Sequence, residues 1–357
     1  MKFIKELVYI IIFIISILLT IDVLNRIFIP KWIHSSDNMH GYITRGYFAE
    51  EENSLDVIFM GNSDTYRGIT PMEIWNDYNI TSYNFVSAGQ RMWTGYYMLI
   101  EALKTQKPKV IMLNIDGIFS TNQSSMSNYQ KVFDTMLISK NKINAIMDPA
   151  FNFSYGRKLA YVFPIIAYHT RYNELTSEDF KYAYSDYHNP YKGLNLVIDS
   201  KPFEGDYITN SDDVWPLDDK VTKYLDKFVQ KCREEKIDLE FIWVPSPDSW
   251  SAEKSNAVKE YTLKNDIDFM DLNYIYKDIN IDFTTDTADG GDHLNIYGAT
   301  KVSKYLGEYL NNNYSFEKHD KNTIKRWNKD YNEYIKILKD LENSGNWDIY
   351  KKCKWLF

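Results

Sequence analysis

Leu55-Asp56-Val57-Ile58-Phe59-Met60-Gly61-Asn62-Ser63-Asp64, residues 55–64, decides the reading of this chain. Leu55–Met60 is a mostly apolar run of strand length, and a serine stands three residues past its end. Shortly after, Thr70-Pro71-Met72-Glu73 joins a capping-box pattern to a proline at the first helical position, so a helix starts there. A strand that hands a serine to a loop leading into a helix presents its hydroxyl at the strand's carboxyl end. A serine hydroxyl is a weak nucleophile, so this one needs a base. Far downstream, Asp289-Gly290-Gly291-Asp292-His293-Leu294-Asn295 sets carboxylates beside a histidine, just ahead of a helical pattern. The two stretches together suit nucleophilic acyl chemistry on an α/β sheet.

Working outward, strand and helix patterns alternate. Ser82–Val86, Lys109–Ile115, Leu239–Val244 and Ile267–Leu272 read as further strands. Thr94–Thr105, Leu217–Glu235, Ser251–Lys264 and Tyr297–Asn312 have helical spacing, and 315–341 is an amphipathic helix expected on the outside. Such alternation predicts a parallel sheet covered on both faces, with sites at the carboxyl ends of its strands. Between about 120 and 215 the alternation lapses into a Tyr-, Asn- and Ser-rich stretch, read as an insertion of helices and loops over the sheet. Its Tyr and Trp side chains are either core or platforms for a sugar.

The chain has 357 residues, 44% of them hydrophobic and 16% aromatic, enough for a substantial core. A net charge of −8 without a basic stripe argues against nucleic acid as a partner. Two distant cysteines, Cys232 and Cys353, read as free thiols and not as a disulfide framework or metal site. Leu7–Ile21 carries no charge; Lys2 and Lys5 precede it and Asp22 and Arg26 follow. Val23 and Leu24 extend the stretch, and no small-residue cleavage site follows, so residues 1–24 are expected to anchor the chain in a lipid bilayer through 7–24. The reading therefore runs: anchor 1–24, polar stalk 25–54, catalytic domain 55–312 with the insertion, and helical extension 313–357. The body is expected outside the cell, on a single-pass membrane protein.

Ser63 is the candidate nucleophile and His293 the candidate base. Of six histidines, His34 and His40 fall in the expected stalk, His169 and His188 in the insertion, and His319 in the outer helix; only His293 leads into the last α/β helix. The orienting acid is Asp289, helped by the pliant Gly290-Gly291 pair, with Asp292 and then Asp286 as alternatives. An oxyanion hole would draw on the backbone N–H groups of Ser63 and Gly89, with a side-chain donor from either Asn114 or Gln90.

Gly61-Asn62-Ser63-Asp64, Ser87-Ala88-Gly89-Gln90 and Asp289…His293-Leu294-Asn295 resemble the blocks of the SGNH/GDSL hydrolase superfamily over about residues 55–119 and 217–311. The N-terminal anchor, Phe85…Gly89-Gln90, Pro245-Ser246-Pro247 and His293-Leu294-Asn295…Gly298 look like its DltD-like branch of membrane-anchored proteins acting on cell-envelope polymers. The resemblance implies a flavodoxin-like three-layer sandwich, a Ser63/His293/Asp289 triad, no cofactor and no metal. It further implies a serine acyltransferase or esterase working on acetyl or D-alanyl groups of a cell-surface glycan or teichoic acid, partnered by a membrane-bound O-acyltransferase (MBOAT). The chain departs from the family where the acid usually stands three positions before the histidine, a slot held here by Gly290, and where Leu113-Asn114-Ile115-Asp116-Gly117 replaces Gly-x-Asn-Asp. Two other readings stand beside it: a non-catalytic envelope assembly or carrier-binding protein on the same fold, and a secreted lipase.

Overall fold

Val57-Ile58-Phe59-Met60 is apolar on both sides of the pleat, and the computed structural model, which describes residues 2–31, 39–185 and 187–344, buries all four as strand β1. Val57 and Phe59 face one layer of helices, Ile58 and Met60 the other, as period-two alternation requires. β2 (Ser82–Asn84) and β3 (Val110–Asn114) flank β1, and β4 (Asp238–Trp243) and β5 (Asp268–Asp271) complete an all-parallel sheet in the order β2-β1-β3-β4-β5. The chain leaves β1 toward one edge and returns on the other side for β3. The crevice beyond the carboxyl ends of β1 and β3 is therefore the topological switch point.

Helices follow the strands. α1 is Lys2–Phe28 and α2 is Met39–Phe48; α3 (Ser63–Gly68), α4 (Pro71–Tyr78) and α5 (Met92–Ala102) come between the first three strands. The insertion holds α6 (Met126–Phe133), α7 (Lys140–Met147), α8 (Tyr155–Val162), α9 (Ile165–Tyr168) and α10 (Ser177–Lys181). α11 (Asp219–Glu235), α12 (Ala252–Asn265), α13 (Ile296–Asn313) and α14 (Lys321–Ser344) finish the chain. One layer buries Met98 and Leu99 of α5 with Leu225, Phe228 and Val229 of α11 against Ile58 and Ile111. The other buries Val302, Leu306 and Leu310 of α13 against Phe59 and Met112.

α1 is long and apolar enough to cross a membrane, and its most apolar window is wholly unburied. Its 27 residues span about 40 Å at about 1.5 Å each, more than a hydrocarbon core of about 30 Å.

One expectation changes. The segment read as a polar stalk is in part a packed helix: Ile43 and Tyr47 of α2 are fully buried, with the Tyr47 ring stacked 4.1 Å from Phe85. Tyr83 Oη donates to the Ile43 carbonyl at 2.8 Å, which ties α2 to the β2 edge. His34 and Cys353 lie outside the described residues, as does the side chain of His40. Of the two readings of the insertion's aromatics, core holds for several: they join the layer that α5 and α11 form on the sheet. Tyr129, Phe133, Phe151 and Tyr161 are buried, with Tyr129 and Phe151 edge-to-face at 4.8 Å.

The C-terminal helix is seated as firmly as the sheet helices. Trp327, Tyr334 and Leu341 of α14 are fully buried; the Trp327 ring lies 5.3 Å from Trp75 of α4, and Lys192 Nζ sits 4.5 Å over it. Lys192, itself buried, pairs with Glu50 at 2.7 Å and Asp330 at 2.8 Å, so one ammonium joins the turn after α2, the insertion and α14. Trp327→Ala is expected to cost about 3–5 kcal/mol in urea unfolding, as for other large buried aromatics. A loss under about 1 kcal/mol would mean that α14 is not part of the core.

Candidate active site

Gly61 makes the turn after β1 possible. Its φ is +145°, and a Cβ there would meet Thr65 Oγ1 at 2.4 Å and the Asn114 carbonyl at 3.0 Å. That close approach sets the ends of β1 and β3 side by side. Asn62 then caps α3, its Oδ1 accepting the Asp64 N–H at 3.1 Å. Ser63 follows as the first helical residue, half-buried, with a backbone N–H that has no intrahelical acceptor by position.

Behind the serine runs a polar bridge. Asn62 Nδ2 donates to Asp116 Oδ2, Asn114 Nδ2 donates to Asp116 Oδ1 at 2.9 Å, and Asn114 Oδ1 accepts the Val244 N–H at 3.1 Å. The bridge fastens the carboxyl ends of β1, β3 and β4 to one another. Asp64 lies in the same cluster and is hydrogen-bonded to Asp116. Burial, then the neighbouring Asp116 charge, holds the Asp64 carboxyl well above the usual carboxylate range. Burial also raises Asp116, opposed by hydrogen bonds from Asp64 and Asn62. Asp64 therefore keeps its proton and donates it to Asp116.

His293 comes from the loop before α13. Gly290 and Gly291 take φ of +86° and +103°, which curls the chain back on itself. Asp289 Oδ2 accepts from His293 Nδ1 at 2.7 Å, and its Oδ1 accepts the His293 backbone N–H at 2.7 Å. Burial alone would raise the Asp289 carboxyl, but the two His293 hydrogen bonds hold it below the usual value. Asp292 Oδ2 is also near, 3.1 Å from Nδ1; burial followed by repulsion from Asp289 pushes its carboxyl up, against the pull of His293. Asp286 is engaged elsewhere, paired with Lys301 at 2.6 Å.

The loop is held from three sides. Thr287 Oγ1 donates to the His293 carbonyl at 2.9 Å. Ser246, of the Pro245-Ser246-Pro247 turn after β4, donates through Oγ to the Asp292 carbonyl at 2.8 Å. The returning end of the insertion runs alongside, with Lys201 N bonded to Thr287 O at 3.1 Å, Gly290 N to Lys201 O at 3.0 Å and Ile296 N to Val197 O at 2.8 Å. Asn295 closes the loop by capping α13 through the Tyr297 and Gly298 N–H groups at 3.1 and 3.3 Å.

The serine and histidine segments share this locale. The His293 charge reaches Asp116, and the Asp289 and Asp292 charges reach Asp64. Arg67, one turn after Ser63 on α3, lowers both loop carboxylates. Ser63 lies near Tyr66 on the same helix, and burial pushes the Tyr66 phenol up. Among the described residues no hydrogen bond joins Ser63 Oγ to His293.

The expected oxyanion donors fare differently. Gly89 has φ +53°, and a Cβ there would meet Asn128 Nδ2 and Ser124 Oγ at 2.9 Å, so the insertion backs this turn. Gln90 Oε1 accepts from Ser87 N at 3.0 Å, leaving its amide N–H groups as the available donors. Asn114 has one Nδ2–H in the Asp116 bridge and its carbonyl on Val244. Asp289, Asp292 and His293 offer three ligand atoms within 4.8 Å of one another, the one set among the described residues suited to a cation. Nδ1, however, donates a short hydrogen bond to Asp289, the arrangement that orients an imidazole base. Asp64 and Asp116, which sequence patterning did not single out, stand directly behind the ends of β1 and β3. Position in the strand-end loops was the one signal for them. The other histidines with described side chains have contacts away from this locale: His188 with Asp330, His319 with Asp56, and His169 with the Ile166 carbonyl.

No family model and no curated protein matches the chain. Among solved structures it is similar to a Bacteroides fragilis protein assigned as an acylhydrolase, at 11% identity and a TM-score of 0.35, covering 76% of this chain and 94% of that one. It is also similar to an acetyl xylan esterase, at 14% identity and a TM-score of 0.33, covering 71% of this chain and 98% of the other. With TM-scores this low, neither likeness bears on the reaction, and the chemistry is read from the residues.

The raised Asp64 carboxyl has a stability consequence. It is protonated in the folded chain where the unfolded chain has lost its proton, so stability falls as pH rises from the ordinary carboxylate value, about 4, through the raised one. Asp64→Asn, which keeps a donor for Asp116, is expected to flatten that decline in urea unfolding followed across pH. Equal slopes for both proteins would contradict a shared proton.

Proposed function

We propose that the chain is a serine acyl-transfer enzyme: Ser63 attacks an ester carbonyl, His293 takes the serine proton and returns it to the leaving alcohol, and Asp289 holds the imidazole. The observation that carries this reading is the Asp289–His293 pair, bonded at 2.7 Å on the loop that the sheet brings against the Ser63 helix. Catalysis requires the Ser63 hydroxyl to come within hydrogen-bonding reach of His293 Nε2. Hydrogen bonds at a catalytic centre commonly tighten only once substrate is seated. The Asp289 charge then stabilises the imidazolium formed in the transition state. The Ser63 and Gly89 backbone N–H groups, with a Gln90 amide hydrogen, are proposed to receive the oxyanion. Asn114 is proposed to act chiefly through the bridge that positions Ser63, a change from the donor role expected of it.

The resemblance to SGNH/GDSL blocks and the apolar α1 support a setting for this chemistry. We place the chain in the cell membrane as a single-pass protein with an extracytoplasmic body. It would move O-acyl groups, such as acetyl or D-alanyl, on a cell-surface glycan or teichoic acid, with an MBOAT as acyl donor. Whether the acyl group passes to a sugar hydroxyl or to water depends on how well the closed site excludes water. The non-catalytic alternative keeps one specific observation, the absence of a Ser63–His293 hydrogen bond among the described residues.

Hydrolysis of p-nitrophenyl acetate by the full-length chain in detergent separates the two. Ser63→Ala and His293→Ala are each expected to lower kcat by about 10⁴-fold or more, and Asp289→Asn by about 10²–10⁴-fold. Asp292→Asn, at a carboxylate without the second bond to the His293 backbone, is expected to cost less than about tenfold. Full activity in Ser63→Ala or His293→Ala would overturn the enzymatic reading.

A further inference from the structure

We infer that residues 165–184 of the insertion form a collar that beds into the headgroup region of the bilayer around the exit of α1. This rests on the anchoring reading above and concerns how the body sits on the membrane. α1 exposes apolar side chains all round as far as Leu19, and its apolar run ends at Asp22, which pairs with Arg26 at 2.8 Å. Over its last turns the helix is bolted to the insertion. Asn25, buried, accepts the Ile165 N–H through Oδ1 at 3.0 Å, and Arg171 donates to the Phe28 carbonyl. Buried Lys31 caps the helix by donating to the Ile29 carbonyl at 2.9 Å and to that of Arg26.

Four large side chains on this fastened segment face outward: Ile166, Tyr172, Phe180 and Tyr184, exposed by 48, 72, 58 and 63%. Each is tied to the end of α1. Ile166 follows the residue bonded to Asn25, and Tyr172 follows Arg171. Phe180 follows Asp179, which Arg171 grips at 3.1 Å, and Arg26 lies 4.7 Å over the Tyr184 ring. Single exposed hydrophobics are ordinary on a protein surface. A cluster around the point where an apolar helix leaves the body is a patch that marks an interaction. Tyrosine suits the membrane edge, with its ring in apolar surroundings and its hydroxyl wet, and Lys181 on the same segment can extend its ammonium to the headgroups. The bilayer is the occupant because the segment carrying these side chains is fastened to the last turns of the helix that enters it. The collar would fix the tilt of the body and hence the height of Ser63 above the membrane.

The test uses the full chain with Cys353→Ser, which leaves only the buried Cys232. Single cysteines are introduced as Tyr172→Cys, Phe180→Cys or Leu263→Cys, labelled with an environment-sensitive fluorophore and placed in phosphatidylglycerol/phosphatidylcholine nanodiscs with and without doxyl-labelled lipid. Leu263, 83% exposed on α12 at the opposite sheet edge, is the control. Labels at 172 and 180 are expected to be quenched by about half, as for side chains about 5–10 Å into the headgroup boundary, and the label at 263 to be unchanged. Absence of quenching at 172 and 180, in protein that resists alkaline carbonate extraction, overturns the collar and leaves the anchor standing; that face would then belong to a protein partner. Release by carbonate overturns the anchor and the collar with it.

Discussion

The hydrogen-bond chain from Asn62 through Asp116 and Asn114 to Val244 is the constraint on which the candidate site depends. It ties three strand ends together at the switch point of the sheet. Without it the Ser63 turn would be an ordinary surface loop, free to drift by more than a nucleophile can tolerate. Its central carboxylate, half-buried, is surrounded by donors: two side-chain amides, the Gly117 N–H and the proton held by Asp64.

The histidine side is built on a different plan. There a glycine pair with positive φ lets a short loop fold over so that one carboxylate bonds both the ring and the backbone of His293. The loop gains rigidity from neighbours distant in sequence, notably Ser246 and the strand-like return at 197–203. The insertion thus backs the Gly89 turn at one end and braces the His293 loop at the other. Between those ends its aromatics extend the core of the α5/α11 layer, and it grips the last turns of α1.

Strand and helix patterning was legible because burial on both faces demands continuous apolar runs. Val57–Met60, Val110–Asn114 and Asp238–Trp243 fall within a residue or two of the expected limits. The Ser63 and His293 loops were legible for a similar reason, since glycine, proline and capping residues punctuate them. Asp289 was legible through the Gly290-Gly291 pair; Asp292, disfavoured as the acid because neighbouring side chains usually diverge, nevertheless comes within 3.1 Å of His293 Nδ1. The packing of α2 was hidden because Ile43 and Tyr47 are apolar positions scattered among polar ones, and their partners Tyr83 and Phe85 lie some forty residues on. Asp116 was illegible as a keystone for the same reason: its role consists of contacts with Asn62 and Asp64, and no local pattern encodes them.

The central claim is that the Ser63 hydroxyl becomes nucleophilic through His293. The most direct measurement is the site of covalent capture by a fluorophosphonate ester, read by mass spectrometry of peptides from the labelled full-length protein. The account predicts one adduct on the peptide containing Ser63, strongly diminished in His293→Ala. An unlabelled Ser63 peptide, or labelling that His293→Ala leaves unchanged, would contradict it.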